Sequence, residues 1–199
     1  MQTFNPERTM DRARKVLPEG SWEALDDRQR ELVLRSAWVV TVVDGDATTD
    51  ELTAIELLTR FLGVKAAAAT AAKTTKKDDL LKALQQLPRD LSFAQHIYAA
   101  GYLVGMSDGV LLDSERKWLE ELASAVGLDP AARADLELDL HGILYEELLV
   151  TVFKDGVVSA RERQILNASR KLLGLDDDTA THIEQSLRER MLRSDSGAY

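Results

Sequence analysis

The chain has 199 residues, of which 45 % are hydrophobic and 30 % charged, and a formal net charge of −9; this is ordinary globular composition, long enough to bury a core. It contains no cysteine, which excludes disulfides, thiolate metal sites and cysteine nucleophiles. An acidic chain without a basic stripe is ill suited to nucleic acid and better suited to cations or basic protein partners.

The charge is uneven. Residues 108–147 hold eleven acids against Arg116, Lys117 and Arg133, whereas 65–90 hold six bases against three acids. Residues 1–14 are charged and lack the apolar stretch of a signal peptide. The longest apolar run, 37–43, is far too short to cross a bilayer, so the expectation is a soluble, cytoplasmic protein with no transmembrane segment.

In chain order, Asn5-Pro6-Glu7 reads as a helix start, with Asn as cap and Pro in the first turn. That helix stops before Pro18-Glu19-Gly20, and 1–25 reads as an N-terminal helical extension. Asp26 or Asp27 opens a second helix to about Val43. Its apolar positions run almost unbroken through Val39, Val40, Val42 and Val43, so it is expected to be central and buried. Asp44-Gly45 ends it, and Thr48 with Glu51 three residues on forms a capping box for the next helix, which stops at Gly63. Residues 65–77 are rich in Ala, Thr and Lys with little to pack, and read as an exposed helix or a mobile connector. A short helix from Asp78 or Asp79 closes before Pro88. Asp90 or Ser92 opens another to Ser107. The next carries Trp118, Leu119, Leu122 and Val126. Asp129-Pro130 starts a long helical stretch to Lys154, with Gly142 a candidate break. Ser159 and Glu162 make a second complete capping box. Thr179 is the expected cap of a last helix to Leu192, and 193–199 reads as a flexible tail. No segment has strand periodicity; the expected fold is all-α, a helical bundle of repeated helix–turn–helix hairpins.

The turns repeat. Asp44-Gly45, Asp108-Gly109 and Asp155-Gly156 are each followed by an aliphatic two positions after the Gly and by a Glu seven positions after the Asp. Twelve residues beyond each Glu stands a further Gly with an aliphatic after it, at Gly63, Gly127 and Gly174. Three copies in one register are an internal repeat.

Asp-Gly with a Glu at this distance resembles the second half of an EF-hand loop. The first half is missing, because its ligand positions fall on Val40, Val42, Val104, Met106, Thr151 and Phe153, and a standard EF-hand is excluded. Two readings of the turns stay open. In one, Gly ends a helix, the aliphatic packs inward and the Glu caps the next helix. That leaves the Asp, placed at the negative end of a helix dipole, in need of a partner such as free backbone amides. In the other, the turns hold a weak site for a divalent cation such as calcium, magnesium or manganese. The candidate ligands are Asp44, Asp46, Asp50 and Glu51 in the first copy, Asp108, Asp113 and Glu115 in the second, and Asp155 and Glu162 in the third. Leu112 stands where the other copies have Thr48 or Ser159, so Asp113 either caps that helix or is free for a ligand.

A helix ending in Asp-Gly, a Glu seven residues after the Asp and an apolar helix closing on Leu-Gly-Leu or its like resembles the tellurite-resistance TerB-like family. The likeness is greatest in Gly101-Tyr102-Leu103-Val104-Gly105-Met106-Ser107-Asp108-Gly109 and from Glu115 through Leu122 to Gly127-Leu128-Asp129. The resemblance implies a TerB-like domain over 26–140, with repeats around 44–51 and 108–115 joined by the 65–77 connector. It leaves 141–192 as a third hairpin repeat, expected on the same core. It also implies a non-enzymatic module that binds protein partners in stress, tellurite-resistance or phage-defence settings, with peripheral membrane association in some members. A divalent-metal site carried over from the family maps onto Asp44, Glu51, Asp108 and Glu115. No His-Pro-Asp tripeptide is present, so a J-domain co-chaperone is excluded.

Other constellations are weak. His96, His141 and His182 are scattered, and no His-Glu-x-x-His motif exists. Glu137 and His141 read as a surface pair. Trp38, Tyr102, Trp118, Tyr145 and Phe153 read as core. Lys73, Lys76 and Lys77 read as a solvated face rather than a lipid-binding one. No phosphate loop, nucleophile elbow or di-iron motif supports an enzyme.

Overall fold

The computed structural model describes Thr9, Leu17 and residues 22–45, 47–153 and 158–196. Of the helix expected from Asn5, only Thr9, which is helical, and Leu17 fall among them. Among the described residues the protein is all-α, with no strand, and no helix is long and apolar enough to cross a membrane. The chain divides into two units, Met1–Glu137 and Leu138–Tyr199.

The first unit is built from local signals that mostly sit where the sequence puts them. Helix α1 (Asp27–Val42) is opened by Asp26, whose carboxylate accepts from Gln29 N at 2.7 Å while the Gln29 side chain accepts from Asp26 N at 3.0 Å. Helix α2 (Thr49–Leu62) starts at the Thr48–Glu51 capping box and ends at Gly63, whose φ of 64° is the left-handed conformation a glycine adopts without strain. The alanine- and lysine-rich stretch forms a short helix, α3 (Ala66–Ala72), whose only buried residue is Ala72. Helix α4 is Lys77–Gln85, helix α5 is Leu91–Gly105 with Asp90 capping Phe93 N, and helix α6 is Asp113–Val126. Helix α7 (Pro130–Val152), which belongs to this unit as far as Glu137 and to the second unit from Leu138, begins with the Asp129 carboxylate accepting from Ala131 N and Ala132 N, and passes through Gly142 without a break.

Helix α1 packs most extensively on α5, and also against α2, α3 and α6. The expectation that α1 is central holds, but α5 is more thoroughly enclosed: from Ile97 to Gly105 every residue is buried. Two glycines one turn apart permit this. A methyl group on Gly101 would come within 3.0 Å of a Leu119 methyl, and one on Gly105 within 2.9 Å of both Leu111 and Val40 side-chain carbons. Without Cβ atoms at these positions, α5 settles against α1 and α6 at close range. Trp118, fully buried on α6, ties the same face by donating its indole N–H to the Ser36 carbonyl of α1 at 3.3 Å.

In the second unit, helix α8 (Ala160–Leu172) follows the Ser159–Glu162 capping box, and α9 spans Asp177–Ser196. The cap of α9 is Asp176, which accepts from Thr179 N at 2.7 Å, and not Thr179 itself. The helix also runs past Leu192, through part of the stretch read as a tail. Within this unit Tyr145 donates to Glu184 at 3.1 Å, Arg163 reaches the same carboxylate at 3.3 Å, and the Arg188 guanidinium lies 4.3 Å from the Phe153 ring centroid.

Candidate functional site

Each Asp-Gly turn leaves a Glu at the third position of the following helix, and that position aims the side chain back toward the turn. Glu51 thereby accepts from Thr48 N at 2.7 Å, while its own N–H donates to the Thr48 hydroxyl at 3.2 Å. Glu115 accepts from Leu112 N at 2.6 Å. Leucine carries no hydroxyl, so this second box is half complete. Asp113 is exposed and makes no cap bond at the start of α6.

The two glutamates meet. Both are buried, 3 % exposed each, and the Glu51 carboxyl lies close enough to Glu115 to raise its titration, through hydrogen bonding as well as charge. Two carboxylates cannot hydrogen-bond to each other, since one of them must supply an O–H. Burial, the first cause, pushes the Glu115 carboxyl up to about 8, and the Glu51 carboxyl and the nearby Asp108 charge add to the rise, against the pull of the Leu112 amide. Near neutral pH the pair therefore holds a proton. Gly105 contributes to the site as well, because a Cβ there would lie 3.9 Å from the Glu115 carboxyl carbon. The pair links the N-terminal turn of α2 to that of α6.

Of the remaining candidate ligands, Asp108 is the one whose charge acts on Glu115. Asp108 is half-buried and its carboxylate accepts from Val110 N at 2.9 Å, which supplies the backbone amide that its place after a helix end calls for. Asp44 is exposed and Asp50 half-buried. Glu162 belongs to the second unit, where it caps α8 by accepting from Ser159 N at 2.8 Å. Asp46 and Asp155 lie outside the described residues. A hard divalent cation takes six or more oxygens, and among the described residues no three His, Asp or Glu side chains are gathered to hold one.

Several features escape sequence reasoning. Glu137 is engaged by the Tyr98 hydroxyl, which donates to it, and by Arg133 at 3.7 Å; burial and that carboxylate raise the Tyr98 phenol well above its ordinary range. Trp38, read as core, is half-exposed and lines a groove. The Gly101–Gly105 pair is visible in the sequence as two small residues four apart in a largely apolar helix, a signal from which close helix contact could be read. Compared with protein-family models, curated proteins and solved structures, the chain matches none.

Proposed function

We propose that the chain is a non-enzymatic, TerB-like helical module that acts by binding protein partners, with its two Asp-Gly…Glu hairpins locked together by the Glu51–Glu115 carboxyl pair. The observation that carries this reading is the pair itself. Two repeats in register bring two buried carboxyls close enough for one to raise the other, and each glutamate is also occupied in capping its own helix. Such an arrangement suits a rigid scaffold: it leaves neither carboxyl in an open pocket where a substrate could reach it. The TerB resemblance supplies the stress and tellurite-resistance setting, and the acidic surface suits a basic partner.

A second reading has one observation in its favour, the third carboxylate, Asp108, close enough to raise Glu115. In it a weakly held calcium, magnesium or manganese ion takes the place of the shared proton. Thermal unfolding of chelator-treated protein, titrated with each ion at pH 6 and pH 8.5, separates the two. A ligand of the native state raises the midpoint with the logarithm of its concentration over Kd. The proton-locked scaffold predicts no change at either pH. A rise at pH 8.5, absent at pH 6 and absent in Glu115→Gln, would establish the cation reading instead.

A further inference from the structure

Helices α1, α2 and α3 enclose a groove of about 420 Å³, within the size range of small-molecule sites. Its origin is legible in the sequence. Helix α3 is Ala66–Ala72 with no side chain larger than threonine, so it closes on α1 without filling the space above Trp38. The floor is apolar, made by Trp38 and Ile55 with Leu52, which is 39 % exposed, and by Ala69 and Ala72 on the far wall.

The rim carries two cations and one carboxylate. Arg60 and Lys73 both line the groove, and neither forms an ion pair with a carboxylate among the described residues. Glu56, four residues before Arg60 on the same helix, also lines the groove without pairing to it. The Lys73 ammonium stands 5.7 Å from the Trp38 ring centroid, which places a positive charge directly beside the apolar floor. In a chain of net charge −9, two cations against the one Glu56 carboxylate beside an apolar cleft form a distinct local environment.

We propose that this groove binds a free amphiphile with an apolar chain and a single carboxylate head, a medium-chain fatty acid in chemical class. The chain lies over Trp38, Ile55 and Leu52, displacing water from apolar surface, which is the main source of affinity. The carboxylate is selected by Arg60 and Lys73, and a cationic head is rejected by them. The groove is separate from the Glu51–Glu115 pair: Glu51 points into the bundle while Leu52, Ile55 and Glu56 on the same helix face the cleft.

The test uses the full chain and sodium dodecanoate below its micellar concentration, followed by calorimetry and by the indole N–H resonance of Trp38 assigned with Trp38→Phe. The expected result is saturable binding that moves the Trp38 resonance, with dodecyltrimethylammonium weaker by about tenfold or more, equivalent to about 1.4 kcal/mol. In Arg60→Gln/Lys73→Gln the two head groups bind alike while the unfolding midpoint without ligand is unchanged. Ala69→Phe, which fills the cleft, abolishes binding of both. Absence of saturable binding, equal binding of the two head groups by the wild type, or binding only to vesicles containing phosphatidylglycerol would each overturn the proposal. The wild-type comparison needs no variant, so a misfolded mutant does not rescue the idea. Since no step involves the carboxyl pair, failure here leaves the scaffold reading standing.

Discussion

The carboxyl of Glu115 on α6 is raised by that of Glu51 on α2, which is buried beside it and 64 residues away in sequence. Each also anchors the first turn of its own helix through a backbone amide. A proton held between them removes the repulsion of two buried charges, and this determines how the fold responds to pH.

Stability falls as pH rises through this pair. The unfolded Glu115 carboxyl titrates near its free value of 4.5 and the folded one near 8, so between those values the native state binds the extra proton. The stabilisation is complete below about 4.5 and is lost as pH climbs through 8. Glu51→Gln keeps the capping geometry, because Gln serves at that position, and its amide donates to the Glu115 carboxylate without needing a proton. Burial of Glu115 remains, so the variant should weaken the alkaline decline without abolishing it and exceed wild type at pH 8.5 by about 1–2 kcal/mol, read from urea unfolding at pH 5, 7 and 8.5.

His96 acts at the acid end. Burial, opposed by its hydrogen bond to the Ser92 carbonyl, pulls its pKa below the free value of 6.5, and it packs edge-on to Trp22 with centroids 4.5 Å apart. The unfolded chain then takes up the proton more readily, so the contribution is intact above 6.5 and is lost as pH falls below it. His96→Gln should flatten the unfolding free energy between pH 6.5 and pH 5, relative to wild type measured in the same buffers.

Gly105→Ala should destabilise by about 1–3 kcal/mol, the usual cost of forcing volume into a packed core. Its new methyl would lie 2.9 Å from carbons of both Val40 and Leu111. Gly142→Ala is the internal control, since a Cβ there meets only Ile183 at 3.7 Å. That substitution lies inside α7 and should stabilise by about 0.5–1 kcal/mol through helix propensity. Denaturant midpoints of the two variants should move in opposite directions.

Trp118→Phe removes the indole N–H that reaches the Ser36 carbonyl and leaves space beside α1. A loss of about 1–3 kcal/mol is expected. Trp22→Phe, whose indole N–H has no hydrogen-bond partner, should cost less in the same assay.

Helix boundaries were largely legible because capping is local: Asp26, Thr48, Asp90, Asp129 and Ser159 all sit at or just before the helix ends their side chains suggested. Thr179 misled because Asp176, three residues earlier, offers the stronger acceptor for the free amide. The candidate site was only half legible. The repeat marked Glu51 and Glu115 as equivalent, but nothing local shows that two equivalent residues touch. That depends on Gly101 and Gly105 bringing α5 close to α1 and α6. The aspartates, which drew attention as ligands, depend on tertiary placement, and Asp108 spends its carboxylate on the Val110 amide. Trp38 was read as core from its spacing, yet packing by α3, whose side chains are no larger than threonine, leaves it at a groove.

The most direct measurement of the central relationship is a carbon-13 titration of the Glu115 side-chain carboxyl by nuclear magnetic resonance, with Glu51→Gln to assign the coupled signal. The shared-proton scaffold predicts a midpoint near 8 in wild type, shifted downward in the variant and unmoved by calcium, magnesium or manganese. A midpoint in the ordinary carboxylate range, near 4.5, would contradict it.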